Sequence, residues 1–212
     1  FYWDEEKELY DLNRWNEVYW TRFENFLNWT DERDIIVQVE VWATFDFYRT
    51  NWEVNPFNPK NNSNYTAERT ELPVHVPTHP TYTDNPFFWS IPSQQNNMPV
   101  LAFQQKFVDK LLSYTFQHDN ILYCMDNETS VTSDWGKFWA IYIQKRAQEE
   151  DKIVHCTEMW DPWDLNHISH RESFDHPELY SFVEISQNNH KKGQEHWDNG
   201  LAQIERLRKL DN

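Results

Sequence analysis

The 212-residue chain carries 19 basic and 35 acidic side chains, and its formal charge of −16 disfavours nucleic-acid phosphates and anionic membrane surfaces as partners. A mean hydropathy of −0.91 points toward disorder, but 17% aromatic residues, 12 of them Trp, exclude a disordered chain and call for an aromatic-heavy core. With only 3 Gly, turns and helix ends are expected to fall to Asn and Asp.

The length fits one domain spanning residues 1–212. Its start, Phe1 to Glu6, has neither the basic beginning nor the apolar middle of a signal peptide and no initiating Met, so the chain reads as a fragment or a processed form. No apolar run approaches the length of a membrane span. Tyr19, Phe23, Phe26 and Thr30 recur at helical spacing and predict a helix with that face inward. A β-branched run at 35–42 predicts the first strand.

Residues 50–99 form a long Pro-rich insertion after that strand. Pro56, Pro59, Pro77, Pro80, Pro86, Pro92 and Pro99 exclude regular helix or sheet interior. Trp52, Phe57, Tyr65, Tyr82, Phe87, Phe88 and Trp89 predict a loop that packs down and covers a site. Leu101, Val108, Leu111 and Thr115 mark the next helix, with Gln104 on the same face, and a strand follows at 120–125.

Trp135, Phe138, Trp139, Tyr142 and Ile143 predict a helix capped by Thr132 or Ser133. Strands are expected at 153–157 and 180–185, and Trp197, Leu201, Ile204 and Leu207 mark a last helix. Strand starts about thirty residues apart match the length of a right-handed strand-helix-strand unit, so the pattern predicts an α/β fold with parallel strands. Cys124 and Cys156 fall in two of these strands, where buried free thiols are the first expectation and a disulfide the alternative if the strands are neighbours.

Each apolar run ends on groups able to bind or transform a polar ligand. The sets are Trp42, Thr44, Asp46 and Tyr48; Asp126, Asn127, Glu128 and Thr129; Glu158, Trp160, Asp161 and Trp163; and Gln187, Asn188, Asn189 and His190. One such set alone reads as solvated loop, whereas four in register point to a shared polar pocket at the strand ends.

The Asn127-Glu128 pair at a strand end, followed by a long helix, is similar to the fourth-strand signature of the clan A retaining glycoside hydrolases. The resemblance implies the central portion of a (β/α)8 TIM barrel, with the strands near 35, 120, 153 and 180 as its third to sixth. It implies Glu128 as general acid/base and Asn127 as the contact to a sugar 2-hydroxyl. The nucleophile would lie at the end of a seventh strand, outside this chain. The expected activity is hydrolysis of O-glycosidic bonds, with a carbohydrate substrate and no cofactor. Asp126, Trp42, Asp46, Glu158, Trp160, Asp161, Trp163, Gln187, Asn188, Asn189 and His190 would assist substrate binding, and the carbohydrate reading favours a secreted or periplasmic location.

Two rivals stand beside it. One is a non-catalytic carbohydrate-binding domain with the same aromatic mouth. The other is a metal-dependent enzyme using Glu128, Glu158 and His190. His167, His170 and His176 fall in a charged loop and read as bracing or surface residues, and no metal is expected. Glu184 reads equally as a functional carboxylate and as a buried one paired with a cation.

Overall fold

The computed structural model describes residues 1–78 and 85–210; Pro80 and Tyr82 of the insertion lie outside the described residues. The chain divides into two compact units, one of residues 1–37 and 45–120, the other of residues 38–44 and the chain from 121 onward.

In the first unit, β1 (Tyr2–Asp4) and β2 (Leu9–Asp11) pair antiparallel with Trp3 opposite Tyr10. The hairpin turn is held by the Asp4 carboxylate, which accepts from the Glu6 and Lys7 amides. Helix α1 (Glu17–Asp31) starts at Asn16, whose side chain accepts from the Tyr19 N–H. Its buried stripe is Trp20, Leu27 and Thr30, while Tyr19 and Phe26 stand 55% and 46% exposed. The largest ring sets this rotation: Trp20 stacks at 5.3 Å on Tyr114 of α4 (Met98–Thr115) and meets Trp15 edge-on at 5.7 Å.

Helix α4 buries Leu101, Gln104, Val108, Leu111 and Thr115. Gln104 sits inside without penalty because its amide donates to the Phe87 carbonyl at 2.9 Å and accepts from the Ser90 hydroxyl at 2.5 Å. The Pro-rich segment forms two short helices, α2 (Arg49–Val54) and α3 (Ala67–Thr70), and a 3-10 turn at Pro86–Trp89. Trp52, Phe57, Tyr65, Phe87 and Phe88 are all buried. Asparagine amides supply the hydrogen bonds that regular structure would otherwise make: Asn58 donates to the carbonyls of Trp52 and Val74, and Asn62 to those of Pro56 and Asn58.

In the second unit, β3 (Val37–Ala43), β4 (Ile121–Asn127) and β5 (His155–Thr157) make a three-strand parallel sheet in that order. Tyr123 pairs with Cys156 and Cys124 with Thr157, so the two cysteines point to opposite faces of the sheet. Both are buried and free. Helix α5 (Ser133–Glu149) starts after Thr132 and packs through Trp135 and Trp139 against Trp42 of β3, with ring centroids 5.8 and 5.1 Å away. Truncating any one of these three rings would cost about 3–5 kcal/mol. Helices α6 (Ile168–Phe174) and α7 (Gly193–Leu210) are tied by Arg206, whose guanidinium donates twice to the Asp175 carboxylate.

The expected partial (β/α)8 barrel is corrected by this architecture. The chain holds a three-strand parallel sheet and a separate two-strand antiparallel sheet, with seven helices among the described residues. Residues 180–185 form no strand. Thr157 reaches them through a side chain, its hydroxyl donating to the Phe182 carbonyl at 2.9 Å, and Glu184 folds back to accept from the Ser186 amide and hydroxyl. Such local side-chain bonds compete with a ladder. On α7 the stripe expected inside is largely outside: Trp197 is 65% exposed, while Gly200 and Gln203 are buried. No helix among the described residues is long and apolar enough to cross a membrane.

Candidate functional site

The site lies at the carboxyl edge of the second unit's sheet, where β4 runs out. Ile121 to Met125 are held in the strand by burial, and the extended backbone ends at Glu128, which has φ of 47°. A left-handed conformation costs a residue with a side chain roughly 1–2 kcal/mol and persists only where its surroundings impose it. The imposing bonds flank Glu128. The Asp126 N–H donates to Glu158 Oε1 at 2.8 Å, the Thr44 hydroxyl donates to the Asn127 carbonyl, and the Thr129 N–H donates to the Met159 carbonyl at 2.8 Å. The Asp161 N–H closes the set on the Thr129 carbonyl at 2.9 Å.

Asn127 and Glu128 are half-buried. The Asn127 amide donates to the Glu40 carboxylate of β3 at 2.7 Å. Asp126 and Glu158 lie beneath them, 0% and 1% exposed. Burial pushes both carboxyls well above the ordinary carboxylate range. The Glu158 charge raises Asp126 further while the Trp135 indole N–H opposes the rise, and the Asp126 and Met159 amides partly restrain Glu158. Two like charges cannot both be carried in this enclosure, so the pair holds at least one proton at neutral pH.

Gly136 of α5 makes room for the pair, because a Cβ at that position would collide with Glu158 Oε2. The Tyr180 hydroxyl, buried and without a hydrogen-bond partner, lies 3.2 Å from the same point. Burial raises the Tyr180 pKa, as do the neighbouring Glu158, Cys156, Asp126 and Cys124. Glu184 is half-buried and also raised, by burial and then by the Glu40 charge, against the Ser186 bonds that lower it. It is bonded to Ser186 rather than to a cation.

The other expected site residues divide by burial. Trp42 is 1% exposed and belongs to the three-tryptophan cluster. Trp160 is buried, with its indole N–H donating to the Ser173 hydroxyl at 3.1 Å. Gln187 and Asn188 are buried; the Asn188 amide donates to the His196 carbonyl and accepts from Asn199, which braces the start of α7. Asp161 is half-buried, Asn189 is exposed, and Asp46 sits on the surface of the first unit. Trp163, 63% exposed, stacks on the His190 ring with centroids 3.8 Å apart and planes 19° apart, and so presents a flat aromatic face to solvent.

Two histidines of the charged loop brace local structure. His167 caps α6 by accepting from the Ser169 N–H, and His170 Nε2 bonds the Pro162 carbonyl at 2.8 Å. Burial lowers the His170 pKa, consistent with a neutral ring donating there. Among the described residues no three His, Cys, Asp or Glu side chains converge on a point that could hold a metal ion, so Glu128, Glu158 and His190 form no such set.

Thr44 was legible as part of a strand-end cluster, whereas Glu40, Trp135, Gly136 and Tyr180 were not legible as parts of a site. One signal was available for Gly136. It is one of three Gly in the chain and lies inside a helix, where Gly costs about 1 kcal/mol relative to Ala, so a close approach is the natural reason for it. Comparison of the chain with protein families, with curated proteins and with solved structures finds no match.

Proposed function

We propose that the edge at Asn127-Glu128 binds a carbohydrate and serves hydrolysis of its O-glycosidic bond, with Glu128 as general acid/base. One observation carries the reading: a half-exposed carboxylate sits at the carboxyl end of the central strand of a parallel sheet, in a left-handed backbone, directly after an amide residue. Ligands of parallel α/β sheets gather at that edge, and non-Gly residues in rare backbone conformations cluster at functional sites. The acidic chain suits a neutral ligand. The exposed Trp163 face suits the apolar side of a sugar ring.

A second reading, carbohydrate binding without hydrolysis, is favoured by the burial of Asp126 and Glu158, since neither is placed to attack a sugar carbon. Double displacement needs two carboxyl groups about 5–5.5 Å apart. The two readings separate on Glu128→Gln. Under the hydrolytic reading, turnover of an unactivated glycoside falls by at least about a hundredfold, the scale of general acid catalysis, while binding persists. Near-normal turnover in this variant would overturn the assignment of Glu128. Binding of oligosaccharides by a wild type that releases no reducing sugar would establish the second reading.

A further inference from the structure

We infer that Thr44 and Glu158 are positioning residues that clamp the peptides before Glu128, so that its side chain leaves the strand end in one fixed direction; the catalytic meaning of this clamp rests on the acid/base reading above. The four bonds around Glu128 are of two kinds. Those on its far side, Thr129 N–H to Met159 O and Asp161 N–H to Thr129 O, are backbone bonds that prolong the β4–β5 pairing beyond its last formal residues, and any sequence could make them.

Those on its near side come from side chains. The Asp126 N–H goes to the Glu158 carboxylate at 2.8 Å, and the Thr44 hydroxyl bonds the Asn127 carbonyl and lies 3.5 Å from that of Glu128. Both residues are sealed, with Thr44 0% and Glu158 1% exposed. A carboxyl group is costly to bury and a helix-interior Gly costs helix propensity, yet Gly136 is placed where any Cβ would strike Glu158. Two unfavourable choices that fit one another mark Glu158 as built for this place. Its Oε1 anchors the amide of Asp126, the next-to-last residue of β4, and Thr44 reaches across from the end of β3 to anchor the carbonyl of Asn127, whose peptide leads into Glu128. With both peptides held, the residue that follows has little freedom to rotate out of the left-handed region.

The test is made first on the backbone, without reference to activity. NMR backbone couplings at Glu128 report the sign of its φ in the intact protein. Wild type, Thr44→Ser and Glu158→Gln keep the hydroxyl donor and the carbonyl acceptor and are expected to keep φ positive. Thr44→Val and Glu158→Ala remove them and are expected to move Glu128 to ordinary negative φ while amide signals of α5 and α7 stay in place. Should Glu158→Ala fail to fold, the near-isosteric Thr44→Val decides alone. A folded Thr44→Val protein with Glu128 still left-handed overturns the clamp.

The catalytic arm uses a series of aryl glycosides that the wild type hydrolyses. Thr44→Val should lower kcat on the order of tenfold or more for poor leaving groups and little for activated ones, with KM unchanged and Thr44→Ser restoring the pattern. A uniform loss across leaving groups overturns the positioning role. If Glu128→Gln itself turns over normally, the acid/base reading falls, and the couplings at Glu128 still decide whether the clamp exists.

Discussion

Replacing Glu158 by Gln removes one titratable proton from the buried pair while keeping the acceptor for the Asp126 amide. In the native protein both carboxyls are raised by burial, and Asp126 is raised further by the Glu158 charge, with Cys124, Cys156 and Tyr180 adding no cation to the enclosure. An unfolded chain releases these protons near pH 4, whereas the folded one keeps them to higher pH. The neutral forms therefore support folding fully below about pH 4, and that support is lost as pH rises through the raised native pKa values. For each proton held by the folded but not the unfolded chain, stability falls as pH rises from the unfolded value until the native pKa is passed. Glu158→Gln should match the wild type at the acid end and gain on it as pH rises toward neutrality, by on the order of 1 kcal/mol or more. Carboxylates with the opposite shift, such as Asp11, Glu172 and Glu178, lose stability as pH falls, but they do so in both proteins and cancel in the difference. Urea unfolding followed by tryptophan fluorescence at several pH values measures the gap. A gap that stays constant with pH, or a variant less stable than wild type at neutrality, would refute the reading that the native pair holds one more proton than Asp126 alone.

Two further outcomes follow from the same enclosure. Gly136→Ala places a methyl group into Glu158 Oε2 and should cost about 1–3 kcal/mol by overpacking. In a Glu158→Ala background the cost should shrink or vanish, and a thermal-melt double-mutant cycle that shows simple additivity would disprove the contact. Both thiols are buried; burial and then Glu158 push Cys156 up to about 12, and Cys124 is raised as well. Neither should react with an aromatic disulfide reagent in the native state and both should react once the chain is denatured, so fast native labelling would show that the β4–β5 layer opens.

The legible part of the fold was the part where one face of an element is apolar over several turns or residues. Helix α4 announced its buried face, Gln104 included, and the run from Ile121 to Met125 announced the central strand. Helix α1 was legible as a helix and right at Thr30, but its stripe was rotated elsewhere, because spacing alone gives Tyr19, Phe23 and Phe26 the same weight as Trp20 and Leu27. Contacts of Trp20 with rings outside the helix, among them the stack on Tyr114 far away in sequence, decide between the two faces. Residues 180–185 alternate like a strand, yet the bonds from Thr157 and Ser186 are local or side-chain bonds that no periodicity reveals. The hairpin of β1 and β2 left no signal, since its two strands are three residues each.

At the candidate site the strand end was legible and the depth of its side chains was not. The apolar run stops at Met125 while the strand continues to Asn127, so Asp126, Asn127 and Glu128 looked alike as polar groups beyond a strand end. The structure separates them: Asp126 is sealed with Glu158 below the edge, and Asn127 and Glu128 remain at it. Likewise Trp160 and Trp163 looked like one aromatic wall, whereas Trp160 is bonded inward to Ser173 and Trp163 lies open on His190. A buried acid pair beneath an exposed acid is a coherent arrangement on charge grounds. Held neutral or singly charged, the pair can take up backbone amide bonds and fix the strand end without adding a second full charge beside Glu128. The same bonds supplied by a fully ionised pair would carry the mutual repulsion of two buried like charges, which the Trp135 indole and the Asp126 and Met159 amides only partly offset.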